Sequence, residues 1–132
     1  MGPAAWNATA NDTTNTLSEK ELAAGWILLF DGQTMFGWAA ANDADWKIDG
    51  GVISATQGTM GLLHTTSQFG DYQLKVDFRA AKGTNSGVFL RTSPKPSQPG
   101  IDCYELNIAP PDNGFPTSSF VRQKKVTTAG ET

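Results

Sequence analysis

At 132 residues and a net charge of −3, the chain is long enough for one domain with a hydrophobic core and too short for two of ordinary size. Apolar residues make up 39% and charged residues 17%, and 14 glycines with 7 prolines point to short strands joined by many turns rather than to disorder. The absence of a basic stripe speaks against nucleic acid, and the absence of a run of about twenty apolar residues speaks against a membrane helix. Cys103 is the single cysteine, so neither an intrachain disulfide nor a cysteine-based metal site can form.

Residues 1–17 read as a flexible leader rich in Asn, Thr and Ala, and residues 18–132 as the folded domain. Ser18-Glu19-Lys20-Glu21 matches a capping box and predicts a helix of one or two turns over Glu19 to Ala24, stopped by Gly25. Beyond it the chain turns to short apolar or alternating runs cut by Gly, Asp and Asn. Strands are expected at 26–30, 45–49, 51–55, 60–64, 71–80, 85–92 and 102–108, an antiparallel β-sandwich. Asp49-Gly50-Gly51 is a tight-turn signal between the second and third. Pro94, Pro96 and Pro99 stiffen one connection, Pro110-Pro111 closes the last strand, and Phe120 to Val126 is one further strand candidate.

Parity along the long strands decides which residues share a face. Tyr72, Leu74, Val76 and Phe78 oppose Gln73, Lys75, Asp77 and Arg79. Val88 and Leu90 oppose Gly87, Phe89 and Arg91, and Tyr104, Leu106 and Ile108 oppose Cys103, Glu105 and Asn107. If their strands neighbour one another, Arg79, Arg91 and Glu105 converge on one polar face, readable either as a ligand patch or as a surface ion pair. Asn85-Ser86-Gly87 supplies a turn and a residue without a side chain at a possible ligand approach. Trp26 and Trp46 are expected in the core, while Trp38 fits either packing or stacking on a sugar. Cys103 with His64, the single histidine, is a conceivable nucleophilic pair, with packing the preferred role for Cys103. Arg122, Lys124 and Lys125 read as a solvated turn. Asp71, Asp77, Asp102, Glu105 and Asp112 carry oxygen donors without EF-hand spacing, so no cofactor is firmly implied, while calcium or another divalent metal stays open.

Leu29-Phe30-Asp31-Gly32-Gln33-Thr34 with Gly37-Trp38, Trp46-Lys47-Ile48-Asp49-Gly50-Gly51-Val52-Ile53, Phe69-Gly70-Asp71-Tyr72-Gln73-Leu74, Asp77-Phe78-Arg79, Asn85 to Arg91 and Tyr104-Glu105-Leu106-Asn107-Ile108 occur in this order. Together they resemble the 3-keto-disaccharide hydrolase family over about residues 22 to 126. The resemblance implies a concanavalin-like jelly roll, truncated at its C-terminus in this chain, and an exported protein, periplasmic or extracellular, although no signal peptide is visible. It also implies a carbohydrate partner: a glycoside whose C3 hydroxyl has been oxidised to a ketone, cleaved by elimination and water addition. On that basis Glu105 is the base or a hydroxyl anchor and Arg91 stabilises the enolate, with Arg79, Asn85, Asn107, Asp77 and Trp38 around the sugar. The alternative is a non-catalytic carbohydrate-binding module.

Overall fold

The computed structural model describes residues 15–96 and 101–127. Most of the expected leader and Pro99 lie outside them. The chain forms two compact units, residues 1–70 and 71–132. Among the described residues, regular structure is antiparallel β with one short helix, an all-β fold.

In the first unit, helix α1 (Glu19–Ala23) starts where the capping box places it. The Ser18 hydroxyl accepts the Glu21 amide at 3.3 Å, and the Glu21 carboxylate accepts the Ser18 amide at 3.0 Å. Gly25 takes φ 83° just beyond Ala24, and the amides of Gly25 and Trp26 donate to the Leu22 and Glu21 carbonyls. That pair of bonds is a Schellman stop, which uses carbonyls the ended helix would leave unpaired.

Strand β1 (Trp38–Ala40) pairs with β4 (Leu63–Thr65), Ala39 facing His64. Strands β2 (Lys47–Asp49) and β3 (Val52–Ser54) form the expected hairpin through Gly50 and Gly51. Both glycines have positive φ, 54° and 75°, as a two-residue turn matched to strand twist requires. Beside it, Asp45 gathers the amides of Thr56 and Gln57, each at 2.7 Å, the Thr56 hydroxyl and the Lys47 ammonium. These donors hold its carboxyl well below the usual range, the Gln57 amide contributing most.

Two expectations for this unit change. Residues 26–30 join no ladder: the Trp26 amide closes the helix stop, and the Leu29 carbonyl accepts the Trp38 indole at 2.6 Å. Trp38 itself lies on a strand. The Trp-Ala-Ala run has no alternation to announce this, and its pairing with β4 is what makes it one.

The second unit is built on β5 (Ser86–Leu90) and β6 (Tyr104–Ile108), paired from Ser86 facing Ile108 to Leu90 facing Tyr104. The other edge of β6 is also occupied. The Asn107 amide donates to the Ser119 carbonyl at 2.8 Å, Ser118 to Asn107 at 3.0 Å and Val121 to Glu105 at 3.0 Å. β6 is therefore the middle of a three-segment layer, and the most buried described residues are Asn107 on it, Cys103 just before it, and Ala109 and Ser119 in the segment that follows. Phe120 packs edge-on against Tyr104, ring centres 6.5 Å apart.

Residues 120–126 do not form the expected strand. Arg122 has φ 61°, and Phe120 and Lys124 bond to each other across a tight turn. Residues 72–80 differ more. They run without helix, turn or bend, but no ladder pairs them with a described residue, and their apolar members remain 41–54% exposed. The alternation is present, yet a strand is completed only by a neighbour with free backbone groups.

Candidate active site

The β5–β6 ladder sorts side chains as parity demands. Gly87 faces Asn107 and Phe89 faces Glu105 on one side of the layer, while Val88 faces Leu106 and Ser86 faces Ile108 on the other. Val88, Leu106 and Ile108, with residues 74–78, Asn107, Thr117 and Ser118, line an open cavity of about 520 Å³ whose wall is part apolar and part polar. Glu105 belongs to the opposite face.

The side chain of Glu105 lies across Gly87. A Cβ added at Gly87 would stand 2.8 Å from Glu105 Cγ and 2.9 Å from its Oε1, closer than real side chains approach. The carboxyl is half-buried and, among the described residues, makes no hydrogen bond or ion pair. Burial pushes its pKa up, because desolvation disfavours the charged form and no donor offsets it. A half-buried carboxylate without donors is a stronger base than one in water, and it keeps its lone pairs for a proton that arrives with a ligand.

Asn107 shares this face but is only 3% exposed. Its side-chain amide donates to the Phe115 carbonyl, and its Oδ1 is buried without a partner. It organises residues 109–119, where Thr117 also bonds back to Ala109. Arg91 follows β5 in the left-handed region, φ 53°, and its Nη2 pairs with Asp71 Oδ1 at 2.8 Å. Both partners are exposed, so the pair contributes about 1 kcal/mol or less. Its clearer effect is to fasten the start of the 72–80 run to the end of β5.

The remaining candidates are dispersed. Arg79 and Asp77 lie on the exposed 72–80 run, with Asp77 at the cavity. Asn85 is exposed just ahead of β5. Trp38 belongs to the unit of residues 1–70, as does His64, while Cys103 is buried in the other unit. Among the described residues no three His, Cys, Asp or Glu side chains gather as a metal site. The sequence marks Gly87 as a residue without a side chain at a possible ligand approach, and in the structure the Glu105 side chain occupies that space. The bond between Asp71 and Arg91, 20 positions apart, had no local signal.

Residues 25–131 match the profile of the 3-keto-alpha-glucoside-1,2-lyase-like domain. The chain belongs to that family. A 3-keto-disaccharide hydrolase of Bacteroides thetaiotaomicron is 32% identical over 79 residues, an alignment covering 51% of this chain and 27% of that protein. The chain thus spans about a quarter of the length of the relative it matches. No solved structure matches it. The matched residues 25–131 fall on both units, so the assignment does not rest on one stretch.

Proposed function

We propose that the chain acts on 3-keto-glycosides, with Glu105 as the base that starts cleavage. The observation that carries this reading is the Glu105 carboxyl: half-buried, laid over Gly87, without a hydrogen-bond partner among the described residues and raised in pKa. Membership of the 3-keto-alpha-glucoside-1,2-lyase-like family supports the substrate class.

The chemistry follows from the ketone. A carbonyl at C3 acidifies the C2 proton. Glu105 takes that proton, and the C2–H electrons pass into the enolate. As the carbonyl re-forms, a C1–C2 double bond appears and the C1–oxygen bond breaks, its electrons leaving with the alkoxide, which takes up a proton. Water then adds its oxygen to C1 and a proton to C2, giving net hydrolysis. In this reading Arg91 offers its guanidinium to the developing enolate oxygen, and Arg79 and Asn85 bind sugar hydroxyls.

The test is incubation with a 3-keto-disaccharide, following release of the unmodified sugar. Glu105→Gln keeps shape and removes the base, so turnover falls by at least about a hundredfold while the fold persists. Unchanged turnover in Glu105→Gln, or saturable sugar binding without turnover in the native chain, sinks the proposal.

A further inference from the structure

Residues 72–80 of the second unit present alternating apolar and polar side chains along a run without helix, turn or bend. Leu74, Val76 and Phe78 are 41%, 54% and 53% exposed, and among the described residues their amides and carbonyls have no hydrogen-bond partner. In a strand these three residues direct their backbone groups to one edge. That edge is an open template for another strand.

The sequence of the run selects its partner. With Val76 on a two-fold axis, antiparallel pairing sets Leu74 against Phe78 of the second copy, Lys75 against Asp77, and Gln73 against Arg79. Every apolar residue then meets an apolar one, and both symmetry-related Lys75–Asp77 pairs are attractive. Neighbouring registers lose this match. An axis at Lys75 or Asp77 opposes like charges, and one at Leu74 sets Asp71 against Asp77. An axis at Phe78 sets Leu74 against Lys82, in the turn beyond the run. A slip of one position puts apolar side chains opposite charged ones. Parallel pairing in register stacks lysine beside lysine.

We propose that this chain self-associates through residues 72–80, forming a two-fold antiparallel strand pair centred on Val76. With Val76 as a hydrogen-bonded pair, the backbone bonds come from Leu74, Val76 and Phe78, the residues whose groups are open. Lys75 and Asp77 then occupy the closer, non-hydrogen-bonded positions, with Cα atoms about 4.5 Å apart. The pairing uses neither Glu105 nor Gly87, but it sets Arg79, proposed above to bind a sugar hydroxyl, opposite Gln73 of the second copy.

Sedimentation velocity on the native chain from micromolar to millimolar concentration gives the first reading, and a concentration-dependent dimer is expected. Lys75→Asp or Asp77→Lys converts two attractive contacts into two repulsive ones and weakens the dimer by about tenfold or more. The double variant, Lys75→Asp with Asp77→Lys, restores opposite charges and recovers the native dissociation constant. A native chain monomeric at millimolar concentration, single variants as dimeric as the native chain, or a double variant no stronger than the singles each overturns the proposal. Should a single variant fail to fold, amide exchange in the native chain decides. Slower exchange at Leu74, Val76 and Phe78 with rising concentration supports the pairing, and concentration-independent exchange there overturns it.

Discussion

The side chain of Glu105 occupies the space above Gly87 that any other residue would claim, its Cγ 2.8 Å from where a Cβ would stand. The two residues lie on neighbouring strands, displaced by one cross-strand pair along the same face. The missing side chain at Gly87 therefore sets where the Glu105 carboxyl lies. Gly87→Ala forces that side chain away, because the obstruction includes the Leu106 carbonyl at 3.1 Å as well as Glu105. We expect kcat/KM on a 3-keto-disaccharide to fall by about tenfold or more, the scale on which small misplacements of a reacting group act. Ser86→Ala, one position away on the opposite face, serves as the matched control and leaves the rate within about twofold.

The raised pKa of Glu105 predicts a pH dependence with a definite sign. A base must be ionised to accept a proton, so turnover rises as pH passes through the carboxyl's pKa. Burial places that acid limb above the ordinary glutamate value of about 4.3. Folding stability moves the other way. A carboxyl whose folded pKa is raised costs stability once it ionises, so its contribution declines from the unfolded value upward through the folded one. Carbon-13 NMR titration of the Glu105 carboxyl reads the pKa directly, and a value at or below the ordinary one contradicts the prediction.

Asp45 behaves oppositely. The amides of Gln57 and Thr56 and the Lys47 ammonium lower its pKa, so its stabilising contribution is complete above about pH 4 and is lost as pH falls toward the lowered value. Thermal melts of the native chain should drop across that acid range. Asp45→Asn should flatten this part of the profile while lowering Tm at neutral pH. Equal pH slopes in the two proteins would remove Asp45 from the explanation.

Asn107→Ala deletes the bond to the Phe115 carbonyl and leaves a void at a residue 3% exposed. Unfolding free energy is expected to fall by about 1–3 kcal/mol, with increased exchange across residues 115–119. Arg91→Ala, by contrast, removes an exposed pair and should cost less than about 1 kcal/mol in the same denaturant titration. Reversal of that order would mean that the Asp71 tie matters more to the fold than its exposure suggests.

Local rules carried much of the fold. The capping box at Ser18, the Gly50-Gly51 turn and the parity of β5 and β6 depend on near neighbours, and each is found where its residues place it. Features set by distant partners were less legible. β1 is a strand because β4 lies beside it, residues 26–30 give up their ladder to the Trp38 indole and the helix stop, and Arg122 turns residues 120–126 back on themselves. For the site, parity put Glu105 and Asn107 on one face, but burial then divided them. Asn107 is enclosed by residues 109–119, while Glu105 retains access to solvent. The partner of Arg91 lies 20 residues away, where no local pattern points.

β6 is held on both edges, by β5 on one side and by Ser118, Ser119 and Val121 on the other, whereas residues 72–80 are held on neither by any described ladder. Such a contrast produces a hierarchy of openings, in which segments outside any described ladder separate at a smaller free-energy cost than the doubly held strand. Glu105 rides on that doubly held strand. Excursions of the 72–80 run can therefore expose the apolar side of the layer while the carboxyl over Gly87 keeps its aim.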